Sequence, residues 1–285
     1  MPELPHPGLA WMLEDEAGRV WLARLPDLTA ACVVRWGLTL GEPFPYAMAS
    51  LVMPATTADG ADVVVKIGLR PDRESEHEAE ALRRWNGAGA VRLLDEDPER
   101  GALLLERAVP GAHLSTAGPD AALDVLAGLL PRLWVEADGP FTRLEDEAAW
   151  WVATVEDWLP TREVPPTPAL LDAMRSAVED LATTQPERVL LHQDLHGDNV
   201  VAAEREPWLA IDPKPLVGER AFALAPIVRS WELGHSREQV FRRLDTLSER
   251  LGVDRERARR WAIAQTVAWC DDERHRETAT WLLEA

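Results

Sequence analysis

Short apolar runs separated by turn residues fill the first third of the chain. Apolar residues spaced three and four apart fill most of the rest. The first pattern predicts strands and the second amphipathic helices. After a helical preamble over the first 30 residues, Val33-Val34-Arg35-Trp36 and Leu38-Thr39-Leu40 alternate as a strand. Tyr46 to Met53 predicts a second strand beyond the turn-prone Gly41-Glu42-Pro43. Ala58-Asp59-Gly60 marks a hairpin into Val63-Val64-Val65-Lys66-Ile67, a buried strand with one lysine in its middle. Residues 72–86 change to helical spacing, with Ala79, Leu82 and Trp85 on one face and Gly87 as the stop. Val91-Arg92-Leu93-Leu94 and Ala102 to Leu105 then flank a second hairpin at Asp97-Pro98-Glu99-Arg100-Gly101. The order is three strands, one helix, two strands, closed by a hinge at Pro110-Gly111.

Beyond the hinge, Ala121 to Trp134 repeats Leu123, Leu126, Leu130 and Leu133, with Pro131 as a kink. Further helices are predicted over 145–159, 168–184, 236–251 and 254–270. Pro168 follows an N-capping Thr167, and Ser236 with Gln239 forms a capping box. Two short strands, Val189 to Leu191 and Trp208 to Ile211, interrupt the helices. The expected fold is therefore α+β and bilobal. Residues 1–108 form a small five-stranded N-lobe with one helix and a helical preamble, and residues 109–285 a larger, mostly helical C-lobe. A cleft between lobes suits a nucleotide-dependent transferase, although function must be argued from the site.

The composition is that of a globular protein: 285 residues, 46% apolar and 28% charged. No apolar run reaches the ~18 residues of a membrane span. The first residues, MPELPHPGLAWMLEDE, lack the basic and apolar regions of a secretory signal. Cys32 and Cys270 alone make no disulfide framework, so a cytoplasmic protein is expected. The oligomeric state is left open, with a monomer favoured. The net charge of −19 repels nucleic acid and anionic membranes; it serves solubility alone or draws a cationic small molecule to an acidic cleft. Among the 30 basic residues only Lys66 and Lys214 are lysines. A chain so biased to arginine that keeps a lysine has reason to need a compact ammonium there.

The densest chemistry lies in Leu191-His192-Gln193-Asp194-Leu195-His196-Gly197-Asp198-Asn199-Val200, followed by Ala210-Ile211-Asp212-Pro213. Each piece follows a predicted strand. Phosphoryl transfer needs a carboxylate for the proton of the acceptor hydroxyl and oxygen ligands that hold magnesium against the phosphates. Asp194 fits the base, and Asn199 and Asp212 fit the ligands. The Asp-to-Asn interval of five, with His192 two residues before the base, is that of the protein-kinase catalytic loop. Neither cysteine is near His192 and His196, so a zinc site is not indicated. No G-x-S-x-G elbow suggests a hydrolase.

Lys66 inside an apolar strand is expensive unless paired. A phosphate clamp gives it the nucleotide and a carboxylate of the following helix. Glu78, four residues before Leu82, is favoured over Glu76 and Glu80. No G-x-G-x-x-G or Walker loop occurs. Ser50 and neighbouring backbone are left as phosphate cover, and Glu106 to Ala108 as the place where adenine meets the hinge backbone.

His192 to Asn199 resembles the catalytic loop of aminoglycoside phosphotransferases. Asn199 to Gly218, Leu103-Leu104-Leu105-Glu106-Arg107 and Ala90 to Asp95 resemble the branch with streptomycin 6-phosphotransferases and hydroxyurea phosphotransferases. The resemblance covers roughly residues 20 to 270. It implies a protein-kinase-like fold, ATP with magnesium, and transfer of the γ-phosphate to a hydroxyl, with Asp194 as base. Asn199 and Asp212 would be the metal ligands, and Lys66 the phosphate clamp oriented by Glu78. One departure stands out. Where the family pattern reads Gly-Asp-x-x-Phe/Tyr-Asp-Leu, this chain has Gly218-Glu219-Arg220-Ala221-Phe222-Ala223-Leu224. The second acid, which braces the catalytic loop in kinase-like folds, is Ala223. A substitute acceptor is expected from Glu219, a water or a neighbouring side chain.

Aromatic and acidic residues together can hold a cation. Trp231-Glu232 and Trp269-Cys270-Asp271-Asp272-Glu273 therefore make Glu232, Asp271, Asp272 and Glu273 candidates for the acceptor. Trp151, Val155 and Trp158 at helical spacing are expected in the core. The leading function is a small-molecule O-phosphotransferase on an aminoglycoside, aminocyclitol or amino sugar, of the antibiotic-resistance type. A metabolic sugar or alcohol kinase and a weakly catalytic nucleotide-binding regulator are the alternatives. No A-P-E motif supports a protein kinase.

Overall fold

Helix α1, Glu16–Trp36, opens on the Asp15 carboxylate, which accepts the Gly18 N–H at 3.0 Å, and closes on Gly37 in the left-handed region at φ 62°. The computed structural model describes residues 7–45, 47–69 and 73–285. Leu22, Leu25, Leu28 and Cys32 of α1 are buried and spaced for one helical face. That face carries the helix on through Val33–Trp36, which corrects the strand expected there. Val34 is 84% exposed, so the apolar pair that looked like a strand is one inward and one outward position of a last helical turn. Only β1, Thr39–Leu40, remains extended.

Three further strands and a short helix follow the predicted order: β2 Ser50–Thr56, β3 Asp62–Gly68, α2 Glu78–Trp85 and β4 Leu93–Asp97, with β5 Ala102–Glu106 after them. Tyr46, the expected start of the second strand, and residue 72, the expected start of the helix, lie outside the described residues. The helix itself begins only at Glu78, because residues 73–77 form a turn. The strands make one antiparallel sheet in the order β1-β2-β3-β5-β4. On β3 the two-residue period sends Val63, Val65 and Ile67 into the core shared with α1. Lys66 belongs to the other face. Trp21 of α1 donates its ring N–H to the Gly68 carbonyl at 3.1 Å, tying the helix to the end of β3.

The chain divides into two compact units, the first ending at Val109 and the second running from Pro110 to Ala285. The second carries α3 Pro119–Leu133, α4 Leu144–Trp158, α5 Pro168–Leu181, α6 Ala225–Arg229, α7 Arg237–Leu251, α8 Arg255–Ala268 and α9 Glu273–Leu283. The helix over Glu273–Leu283 and several strands of two to four residues escape the sequence pattern, being too short or too mixed to show a period. Together with the two strands that were expected, β8 and β10, they form two small sheets. One orders β10 Trp208–Ala210, β9 Val200–Ala203 and β6 Pro110–His113; the other orders β7 Thr142–Arg143, β11 Leu216–Gly218 and β8 Val189–Leu191.

Helix α8 is buried along Ala258 and Trp261 to Ala268, so it runs through the helical core. Its Trp261 meets Phe222 edge-to-face at 5.5 Å, and Phe222 stacks against Trp151 of α4 at 6.0 Å. Trp151 and Val155 are core, as expected, whereas Trp158 is only half-buried, with Arg162 over its ring at 4.7 Å. No helix among the described residues is long and apolar enough to cross a membrane.

Candidate active site

The buried strand β8 delivers the chain into the loop 192–199, and β9 takes it away. At Gln193 the backbone turns left-handed, φ 64°, a conformation that costs a non-glycine residue about 1 kcal/mol or more. Neighbours hold it there. Gln265 of α8 donates to the Gln193 carbonyl at 2.9 Å, and the Lys214 N–H donates to the His192 carbonyl at 3.0 Å. His192 is buried, and burial pushes its pKa down to about 4. The ring is therefore neutral near pH 7. Its Nε2 faces the Ile211 carbonyl at 3.0 Å, which assigns the proton to Nε2. His192 thus braces the loop against the segment that carries Asp212.

Asp194 is the focus of the loop. Its Oδ2 accepts from Lys214 Nζ at 3.0 Å and from Asn199 Nδ2 at 3.3 Å, and its Oδ1 from Arg229 Nη2 at 3.2 Å. Burial works to raise its pKa, but Lys214 first, then His196 and Arg229, overcome it and hold the carboxyl below the ordinary value. The group is ionised, fixed in orientation and able to accept a proton.

Asn199 and Asp212 are thirteen residues apart in sequence and are brought together by one hairpin. In the β9–β10 ladder Val200 faces Ala210, and the Ile211 N–H donates to the Asn199 carbonyl at 2.9 Å. Asp212 follows with φ 54°, a second left-handed residue, and is exposed. The Asn199 amide nitrogen is committed to Asp194, at 2.9 Å to its carbonyl as well as to its carboxylate. That commitment fixes the amide so that Oδ1 is the atom left for a ligand. One amide oxygen and one carboxylate suit magnesium, which keeps waters and phosphate oxygens for its remaining positions.

In the first unit the Lys66 ammonium meets Glu78 Oε2 at 2.6 Å, with side chains 9% and 3% exposed. Glu78 opens α2, so its place at the helix start also favours a carboxylate. Glu80 turns instead to Arg84 at 2.9 Å on the surface. Ser50 is the buried first residue of β2, opposite Gly68. Glu106 ends β5, where its N–H donates to the Arg92 carbonyl and its carboxylate accepts the Arg92 N–H, both at 2.9 Å. Ala108 lies two residues on, just before the first unit ends.

Glu232 is brought to the loop. Its carboxylate accepts the Gly197 N–H at 3.0 Å and lies 3.3 Å from His196 Nδ1. That contact opposes burial and raises the His196 pKa. Gly197 fits closely here, because a Cβ would stand 3.0 Å from the Ser115 backbone. Ser115 and His113 in turn hold Asp198, through its carboxylate and its carbonyl. Glu232 is thus the neighbouring side chain that receives a loop N–H in a chain with Ala223. Glu219 is not: it is 1% exposed and accepts from Arg257 at 2.6 and 2.7 Å and from Trp261 Nε1 at 2.6 Å.

The other acids considered for an acceptor have protein partners. Asp271 pairs with Arg162 at 3.1 Å, Asp272 caps α9 by accepting the His275 N–H at 2.8 Å, and Glu273 pairs with Arg276 at 2.6 Å. The Trp231 ring is covered by Arg274 at 4.5 Å. Trp269 receives the chain's own cations, Arg229 at 4.6 Å and Lys214 at 5.1 Å.

Arg229 and Arg243 were invisible in the sequence, being two among many arginines and 35 and 49 positions beyond Asp194. Arg243 is 3% exposed and donates to the carbonyls of Val228, Leu233 and Gly234 at 2.8–3.2 Å. It thereby fixes the segment that presents Arg229 and Glu232. Burial pushes its pKa down to about 10, so it stays charged at neutral pH. Lys214 did carry a signal, as one of the two lysines.

Residues 35–273 match the family described as aminoglycoside/hydroxyurea antibiotic resistance kinase. The chain is 43% identical over 259 residues to a streptomycin 6-kinase of Streptomyces griseus, covering 88% of this chain and 84% of that one. It is 42% identical over 259 residues to a hydroxyurea phosphotransferase of Kitasatospora aureofaciens, covering 89% and 74%. Its fold is like that of choline kinase LicA from Streptococcus pneumoniae, with a TM-score of 0.66, 16% identity and coverage of 92% and 100%.

Proposed function

The chain belongs to the aminoglycoside/hydroxyurea antibiotic resistance kinases, and on that premise we propose that it moves the γ-phosphate of ATP, with magnesium, onto a hydroxyl of an aminoglycoside, aminocyclitol or amino sugar. The observation that carries the reading is the Asp194–Asn199–Asp212 arrangement. A fixed, ionised carboxylate accepts from the Asn199 amide, and one hairpin brings the backbone of Asn199 next to the segment that carries Asp212. The 43% identity to a streptomycin 6-kinase supports an aminocyclitol hydroxyl, and the net charge of −19 supports a cationic acceptor.

In this mechanism Asp194 hydrogen-bonds the acceptor hydroxyl and takes its proton as the oxygen attacks the γ-phosphorus. The bond from that phosphorus to the bridging oxygen breaks, and its electron pair leaves on ADP. Magnesium, held by Asn199 and Asp212, would neutralise phosphate charge. Lys66, oriented by Glu78, grips the α- and β-phosphates, with Ser50 and nearby backbone as cover and the backbone from Glu106 to Ala108 at the adenine. His192 and Glu232 keep the loop in register. The pKa of Asp194 is held low, so the carboxylate is ionised and ready to orient the hydroxyl and receive its proton.

The test is a transfer panel of streptomycin, other aminoglycosides, aminocyclitols, amino sugars and hydroxyurea with ATP and magnesium, read by mass. Streptomycin or a close aminocyclitol is expected to gain one phosphoryl group. Transfer only to simple sugars or alcohols would favour a metabolic kinase. Magnesium-dependent ATP binding with no transfer would favour a nucleotide-binding regulator.

A further inference from the structure

We propose that Lys214 is a further catalytic residue whose ammonium contacts the phosphoryl group in transfer, its pairing with Asp194 being the resting position of that charge. The proposal rests on the phosphotransferase reading above.

Asp194 is met by two permanent cations where one would balance it. The two differ in freedom. Arg229 has a side chain 11% exposed, donates towards His275 Nε2 at 3.2 Å and lies 4.6 Å over Trp269, so it is enclosed on several sides. The Lys214 side chain, which lies over the same ring at 5.1 Å, is more open at 25% exposed. Its root is rigid: Pro213 and Pro215 flank it, both buried, and its N–H is tied to the His192 carbonyl. Its tip ends a flexible four-carbon stem.

Geometry places that tip within reach of the reaction. A hydroxyl hydrogen-bonded to Asp194 sits about 2.7 Å from the carboxylate. The γ-phosphorus in a near-attack arrangement is about 3–3.5 Å farther. The phosphoryl oxygens therefore come within roughly 6 Å of a carboxylate whose Oδ2 lies 3.0 Å from Lys214 Nζ. The flexible four-carbon stem lets the tip swing towards that place.

Charge flow favours the move in the right direction. When the acceptor proton passes to Asp194, the carboxylate is neutralised and its hold on Lys214 falls. At the same moment charge spreads over the phosphoryl oxygens. An ammonium poised between the two gains most in the transition state, which is the condition for catalysis rather than mere binding. The lysine identity fits this role, since a compact point charge can follow the phosphoryl group where a planar guanidinium would be fixed by its fork. The chain has 30 basic residues, and its other lysine, Lys66, is the one assigned to phosphates.

The full chain is titrated by calorimetry with Mg·ADP alone and with Mg·ADP plus aluminium fluoride, a mimic of the phosphoryl in flight. In Lys214→Met the ADP affinity is expected to stay within about twofold, while the gain on adding fluoride falls at least tenfold. Lys214→Gln repeats the test if the methionine variant loses ADP binding. Asp194→Asn then separates contact from positioning. If Lys214 touches the phosphoryl group, Lys214→Met lowers the fluoride gain again in that background; if it only positions Asp194, it has nothing further to lose. An unchanged fluoride gain in Lys214→Met, or no further loss in the double variant, overturns the proposal. A parent chain that binds Mg·ADP with no fluoride gain overturns the phosphotransferase reading itself, and this proposal with it.

Discussion

Two lysines serve the whole chain, and each stands against a carboxylate, one in each unit. Lys66 and Glu78 are 2.6 Å apart with side chains 9% and 3% exposed; Lys214 and Asp194 are 3.0 Å apart with 25% and 11% exposed. The first pair is built into a strand and a helix and is held on both sides by regular structure. The second joins a loop with a strained residue to a segment between two prolines. Depth and regularity suit a clamp that must not move. Partial exposure and a flexible stem suit a charge that does. The same two residue types thus stand in opposite settings, one enclosed by regular structure and one on a more open segment.

The comparison breaks most sharply at Asp194. Asp194→Asn keeps the shape, loses the charge and leaves two cations facing an amide. Phosphate transfer is expected to fall by ~10³-fold or more, within the range for a lost proton acceptor, with Mg·ATP affinity nearly unchanged. Turnover near that of the parent in a coupled ADP assay would remove Asp194 from the mechanism.

Lys66→Met tests the clamp and separates stability from function. Removing one partner takes from the buried Glu78 the ammonium 2.6 Å away, which costs about 3–5 kcal/mol in denaturant unfolding, and transfer drops with it. The double variant Lys66→Met, Glu78→Leu should regain most of that stability, because apolar replacements of a buried pair are often neutral, yet regain no activity. Recovery of both would make the pair structural only. For Lys214→Met the expected stability loss is under about 1 kcal/mol, as befits a more open pair.

These two pairs also mark where the sequence was legible. Lys66 stood out because an apolar strand makes a lysine conspicuous, and Glu78 followed from helix spacing. Asp194, Asn199 and Asp212 were legible as a motif because a short loop and one hairpin hold them. What failed were relations across long separations and short elements. Nothing local told that Arg229 or Glu232 would reach the loop, because α6 and the turn after it are placed by the packing of α8 and by Arg243. Val33–Trp36 misled for the opposite reason: a local run of apolar residues suggested a strand, while the tertiary face of α1 decided the matter.

Glu232 offers a smaller perturbation of the same loop. Glu232→Ala takes that carboxylate from both the Gly197 N–H and His196. An orphaned buried donor costs about 1–3 kcal/mol, so the loop loosens without unfolding the chain. The expected result is a fall in kcat of about tenfold, with the KM for ATP little changed. A rise in the KM of a cationic acceptor alone, with kcat intact, would instead return Glu232 to the acceptor site.

The smallest effect is expected at Ala223. This position lacks the acid that braces the catalytic loop in kinase-like folds, and at 4% exposure it lies within the core. In this chain the loop is held by other means: Glu232 on the Gly197 N–H, Gln265 on the Gln193 carbonyl, and the Lys214 N–H on the His192 carbonyl. Ala223→Asp would add a buried carboxylate to a loop already satisfied. Burial of a charge is unfavourable, so unfolding stability should fall, while kcat changes by less than about tenfold, under ~1.4 kcal/mol of barrier. Activation by a hundredfold or more in the same transfer assay would show that the loop is under-braced as it stands. The open pair at Asp194 would then be loose for want of support, and its freedom would no longer argue for a moving charge.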